Sequence, residues 1–228
     1  MNIQILHRDQ LPLGGFAGLK EHRLVVDQRI GGDNDAWDGL GNFVYLADAR
    51  FQPNGETHMH SHKEIDVISI LVEGGITHEG SLKHGQSLDT DQAQAQRAGG
   101  EGFSHNEINP DDKKNRLIQL WVLPETEGEP ASYKLYTLEQ GKLTRIYGGS
   151  KDQDKTLDSH TIMEVGMLSA NQEISKNGEF LAYITRGKGQ LNNEIVKDGD
   201  LIRGDNLNFK AVDDVQIIVI TTKGNNHG

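Results

Sequence analysis

Short apolar runs, cut apart by glycine and aspartate turns, constrain this chain more than any other feature. VISILV at residues 67–72, RLIQLWVL at 116–123 and VQIIVITT at 215–222 are six to eight residues long. FVYLADARF at 43–51 alternates in part. Such lengths suit strands and fall far short of a membrane span. Turn residues punctuate the chain between strand-like stretches: PNG at 53–55, EGG at 73–75 and KDGD at 197–200. With 27 glycines and only 5 prolines, many tight turns are affordable to the backbone. Few stretches show a long helical period with caps. The expected fold is all-β, built of short antiparallel strands.

The 228 residues can hold one large unit or two smaller ones. PETEGEP at 124–130 is acidic, carries two prolines and reads as a linker. An echo lies across it. ILVEGGITHEG (70–80) and YITRGKGQLNNEIVKDGDLI (183–202) both run from an apolar strand through a charged residue and a glycine turn into a second strand. The echo suggests a duplicated barrel, with domains at residues 1–124 and 125–228. The halves differ in chemistry, because the second contains only His160 and His227 as histidines.

A net charge of −11 and a pI near 5.3 argue against direct binding of a nucleic-acid backbone. The absence of cysteine excludes disulfides, thiolate nucleophiles and cysteine-held zinc or iron–sulfur groups. The first residues, MNIQILHRDQ, lack a basic stretch followed by an apolar core, so a cytoplasmic location without membrane attachment is expected.

The chemistry gathers at THMHSHKEID, residues 57–66, where His58, His60 and His62 fall at every second position. On a strand they would share one face. A second segment, GFSHNE at 102–107, places His105 and Glu107 two apart. Two facing strands with alternating ligand-type residues suit one metal ion, such as Fe(II), Mn, Ni, Cu or Zn, with positions left for water or substrate.

The stretch HSHKEIDVISILVEGGITHEG at 60–80, with AGGEGFSHNE at 98–107, resembles the pirin family of the cupin superfamily. His60 and His62 take the two histidine places of the family motif, Asp66 falls on its glutamate, and Glu73-Gly74 on its Glu-Gly. The resemblance implies a bicupin: two antiparallel, jelly-roll-like β-barrels packed face to face, with one metal, most often iron, in the first. It implies His60, His62, His105 and Glu107 as ligands, Glu107 either staying bound or detaching to act as catalytic base. It also implies two functions. One is a quercetin 2,3-dioxygenase-type oxygenase acting on a small aromatic, flavonol-like substrate. The other is a non-enzymatic, iron-dependent regulator or redox sensor that binds a protein partner. Ser61 stands where the family has proline, and Asp66 where it has glutamate. His58 with His60 is a rival pair, but that register needs a two-residue insertion before Glu73. His58 and Asp66 are therefore expected beside the ligands rather than among them. His78 is expected to face solvent and Trp121 to lie in the core.

Overall fold

The computed structural model describes residues 3–223, so His227 lies outside the described residues. In chain order the strands are β1 (Gln4–His7), β2 (Leu19–Val26), β3 (Phe43–Phe51), β4 (His60–His62), β5 (Asp66–Glu73), β6 (Gly75–Gly80), β7 (Ser87–Asp89), β8 (Gln92–Arg97) and β9 (Phe103–Ile108). They continue with β10 (Arg116–Val122), β11 (Ser132–Thr137), β12 (Lys142–Gly149), β13 (Ser159–Leu168), β14 (Glu173–Arg186), β15 (Lys188–Leu191), β16 (Glu194–Lys197), β17 (Asp200–Ala211) and β18 (Val215–Thr222). The fold is all-β as expected. Every ladder between these strands is antiparallel. Among the described residues, no helix is long and apolar enough to cross a membrane.

Contacts divide the chain into two units, residues 11–137 and residues 1–10 with 138–228. The first unit holds a six-stranded sheet, ordered β11-β8-β5-β10-β3-β2, and a four-stranded one, β4-β9-β6-β7. The sheets are open and jelly-roll-like rather than closed barrels. β5 lies inside the six-stranded sheet, so its continuous apolar run is buried on both faces from Val67 to Val72. Leu71 of β5 packs with Leu117, Ala49, Phe51 and Leu19 of its own sheet and with Ile76 and Leu88 of the smaller sheet. That cluster joins the two layers.

Buried charge is paired. Arg116 on β10 and Asp48 on β3 are almost wholly enclosed, and the guanidinium grips the carboxylate through Nε at 3.0 Å and Nη2 at 2.6 Å. Asp66 on β5 receives Arg97 of β8 in the same two-pronged way, at 3.0–3.3 Å. Arg97 also reaches Glu129, and Gly100 N–H donates to the Glu129 carbonyl. The acidic segment expected to be a solvated linker is therefore held to the first unit at Glu129. The following strand, β11, pairs with β8 of that unit, so the expected junction after residue 124 falls inside it.

The second unit is an eight-stranded sheet, β12-β13-β18-β14-β17-β15-β16, with β1 paired to β17. Its core gathers Phe180, Ala182 and Ile184 of β14 with Ile202, Leu207 and Phe209 of β17 and Ile217 and Val219 of β18. β17 runs twelve residues, whereas only residues 201–202 read as strand in the sequence. Its outer part alternates Leu207, Phe209 and Ala211 inward with polar residues between, the pattern of a strand wetted on one face.

The Arg116–Asp48 pair generates a prediction. Asp48→Ala removes the carboxylate that compensates the buried Arg116 guanidinium and should cost about 3–5 kcal/mol in urea unfolding. Arg50→Ala, which breaks the exposed pair with Glu73, should cost no more than about 1 kcal/mol. Equal losses would show that burial is not what gives the Arg116 pair its weight.

Candidate metal centre

β9 runs between β4 and β6. His60 of β4 lies opposite His105 and His62 opposite Phe103. On the other side Gly80 of β6 lies opposite His105 and His78 opposite Glu107. Directly opposed residues project to the same side of a sheet, and alternation keeps every second residue there. Phe103, His105 and Glu107 therefore share a face with His60, His62 and His78. Gly80 is required for this approach. Its φ is +152°, and a Cβ there would sit 2.1 Å from the Ser104 carbonyl oxygen.

Three imidazoles converge. His105 Nε2 lies 2.9 Å from His60 Nε2 and 3.1 Å from His62 Nε2. One ligand atom from each histidine falls within 4.8 Å of the others. His60 Nδ1 stands 2.9 Å from the carbonyl oxygen of His58. A carbonyl only accepts, so the proton of a neutral His60 is on Nδ1 and its Nε2 carries a lone pair. Burial, aided by the charge of His60, lowers His62 to about 4 and depresses His105 further. Both are neutral at pH 7. Crowded neutral nitrogens with lone pairs turned inward are poorly placed for one another and well placed for a cation.

Glu107 follows on the same face of β9. It is 1 % exposed, and its Oε1 has no hydrogen-bond partner among the described residues. Burial pushes its pKa up to about 7. It stands outside the converging set of three histidines. A buried carboxylate oxygen without a partner is costly unless a proton or a cation satisfies it. The donor set, His60 with the neutral imidazoles of His62 and His105 and the orphaned Oε1 of Glu107, thus fits a divalent metal of the imidazole- and carboxylate-binding kind.

The remaining expected residues fall into place differently. His58 adopts a left-handed φ of +63°, which breaks alternation just before β4 and removes its ring from the shared face. Its side chain is 71 % exposed and lies 3.7 Å from the Glu56 carboxylate. What it contributes is its carbonyl, which holds His60. Asp66 is engaged with Arg97 and fixes β5 to β8. His78 departs from expectation. It is 1 % exposed, not solvent-facing, and its Nε2 lies 3.0 Å from His105 Nδ1. The sequence held a signal for this: Ile76, two residues before it on β6, is equally buried, so strand alternation takes His78 inward.

Trp121, expected in the core, forms a half-buried wall. It stacks on Tyr45 with ring centroids 4.2 Å apart and meets the edge of His62 at 6.0 Å. Its Nε1 is buried with no partner among the described residues. Tyr45 in turn donates to Glu21 at 3.3 Å, and Phe103 lies 5.2 Å from His62.

Comparison with known proteins places this geometry. Residues 27–122 match the pirin family model. A Zymomonas mobilis protein provisionally named quercetin 2,3-dioxygenase is 23 % identical over 190 residues, covering 77 % of this chain and 80 % of that protein. The Escherichia coli K12 protein named quercetin 2,3-dioxygenase is 25 % identical over 107 residues, 46 % of each chain. Among solved structures, YhhW from Escherichia coli superposes with a TM-score of 0.83 over the full length of both chains at 15 % identity. The structure of bacterial pirin YhhW in complex with nickel(II) gives the same score at 16 % identity, over 96 % of this chain and 98 % of that one. These superpositions establish the fold.

The shifted groups have opposite effects on the metal-free protein. His62, lowered from 6.5 to about 4, contributes stability that is present above pH 6.5 and lost as pH falls through 4. Glu107, raised from 4.5 to about 7, contributes stability that is present below pH 4.5 and lost as pH rises through 7. Glu107→Gln removes the second effect. In chelator, the variant should be more stable than wild type at pH 8 by about 1–3 kcal/mol, the cost of an unsatisfied buried group. That gap should close towards pH 4.5. Chemical unfolding across this range would measure it, and a destabilised variant at pH 8 would contradict the reading of Glu107 Oε1 as unpartnered.

Proposed function

From the match of residues 27–122 to the pirin family model, we propose that this chain is a pirin-family, mononuclear metal-dependent oxygenase of the quercetin 2,3-dioxygenase type. The metal is divalent, with Fe(II) first among Fe, Mn, Ni, Cu and Zn. His60, His62 and His105 hold it, and Glu107 is the fourth ligand. One observation carries the metal: the Nε2 atoms of His60 and His105 lie 2.9 Å apart, with the proton of His60 tied up on Nδ1. Nickel(II) in the pirin of the same fold supports a divalent ion. The names of the Zymomonas and Escherichia coli relatives support the substrate class.

When bound, such an ion supplies Lewis acidity and a site for oxygen-donor ligands. The chain's own residues do the rest. The Tyr45–Trp121 stack beside His62 offers a flat surface for a planar aromatic ring. Trp121 Nε1, unpartnered among the described residues, can donate to an oxygen on that ring. In the metal-free protein burial raises the proton affinity of Glu107, so its carboxylate, once released from the ion, would suit taking the proton of a phenolic hydroxyl as the substrate docks. The enclosure of His105 and Glu107 keeps bulk water from that step. The carbonyl of His58 keeps the His60 ring turned towards the ion.

Metal analysis of protein purified without chelator, followed by Fe(II) titration, tests the first half. Wild type should take up one ion per chain. His62→Ala should take up none. His58→Ala should bind nearly as wild type, because only its backbone contacts His60. Failure of wild type to take up Fe(II), Mn(II) or Ni(II) would sink the metal reading. Oxygen consumption with quercetin and related flavonols tests the second half. Metal-loaded protein that turns over none of them would leave a metal site and remove the oxygenase.

A further inference from the structure

Strand β8 reads QAQAQR, and the ligand set makes no use of it. Ala93 and Ala95 are fully buried, as expected of alanines facing a core. Gln94 and Gln96 are 2 % and 0 % exposed, which demands partners for their amides. Those partners form a line. Tyr133 Oη donates to Gln94 Oε1 at 3.2 Å, and Gln94 Nε2 donates to Gln96 Oε1 at 3.3 Å. Gln96 Nε2 then reaches His78 Nε2 at 3.3 Å, and His78 Nε2 meets His105 Nδ1 at 3.0 Å. At its other end the His78 ring stops at the Lys83 carbonyl, 3.4 Å from Nδ1.

The line has one consistent direction. The Lys83 carbonyl can only accept, so His78 carries its proton on Nδ1. Its Nε2 then carries a single lone pair, shared between two N–H groups: His105 Nδ1–H at 3.0 Å, the shorter contact, and Gln96 Nε2–H at 3.3 Å. A proton on His105 Nδ1 leaves the lone pair on Nε2, the atom that faces His60 and His62. The reverse direction would set a lone pair of His78 against a carbonyl oxygen and put the His105 proton on its converging nitrogen. None of the hydrogen-bond partners of His78 is a carboxylate.

We infer that His78, braced by Gln96, Gln94 and Tyr133, is a positioning residue that locks His105 in its Nδ1–H tautomer and so presents Nε2 to the metal. The inference rests on the metal reading above and deepens it. A histidine here does the work that a carboxylate or a backbone carbonyl commonly does behind a ligating imidazole.

The test uses the full chain and two variants. His78→Phe keeps ring volume and removes the acceptor, while His78→Gln restores a side-chain carbonyl that can accept. Imidazole nitrogen NMR of the metal-free protein reads the His105 tautomer, and Co(II) titration against a competing chelator reads affinity. Wild type should show His105 protonated on Nδ1. His78→Phe should show mixed tautomers and bind Co(II) about 10–100-fold more weakly, the usual effect of losing such support. His78→Gln should recover most of both. A wild-type His105 protonated on Nε2 would overturn the inference. So would a folded His78→Phe with its tautomer unchanged and Co(II) affinity within about twofold of wild type. A wild type with the expected tautomer but no Co(II) binding is a different failure: it overturns the metal reading, and with it the purpose assigned to His78.

Discussion

The site depends on one ladder, β9 held between β4 and β6. Four histidines and a glutamate from three short strands meet because that ladder fixes who faces whom. Its register sets His105 against His60 on one side and against Gly80 on the other. A slip of one residue would turn His105 and Glu107 to the outer face, where Ser61 and Ser104 now touch at 2.9 Å. Gly80 allows β6 to come close enough, and the left-handed backbone at His58 ends the approach to β4 so that its carbonyl meets His60. Two local backbone conformations thus aim a three-strand constellation.

Charge in the first unit is managed in two ways. Arg116 with Asp48, and Arg97 with Asp66 and Glu129, are cations and anions brought together, so their burial is compensated. The cluster of His60, His62 and His105, with Glu107 beside it, is the opposite case. There burial strips protons from imidazoles and adds one to a carboxylate, which leaves lone pairs and an orphaned oxygen that only a proton or a cation can satisfy. The first arrangement stabilises the scaffold. The second stores a demand for a ligand.

Much of the fold could be read directly. Residues 43–51 and 215–222 were legible as strands with their observed bounds, because apolar or β-forming runs ended sharply at turn residues. β17 and β11 were not, because their alternation is diluted by Asn, Lys and Ser and their pairing is with distant strands. β1 could not be assigned to the second unit from composition. Its place comes from pairing with β17, nearly two hundred residues away, and from His7 meeting Asp200 at 2.6 Å. At the site, His60, His62 and His105 were legible from spacing and from the family motif. His78 was not, since a single histidine after a glycine turn looks exposed until the buried Ile76 fixes the face.

The sequence by itself determined which residue types could do chemistry and how they alternate. Every-second-residue histidines and a cysteine-free, glycine-punctuated chain leave a β-built nitrogen and oxygen metal site as the natural reading. Only the tertiary structure decided which nitrogens converge, that Glu107 Oε1 lacks a hydrogen-bond partner and that Gln96 of β8 meets His78 behind His105. The reason is physical. Period-two alternation is a property of one strand and is written locally, whereas hydrogen-bond partners and burial arise only when strands far apart in sequence are brought into register.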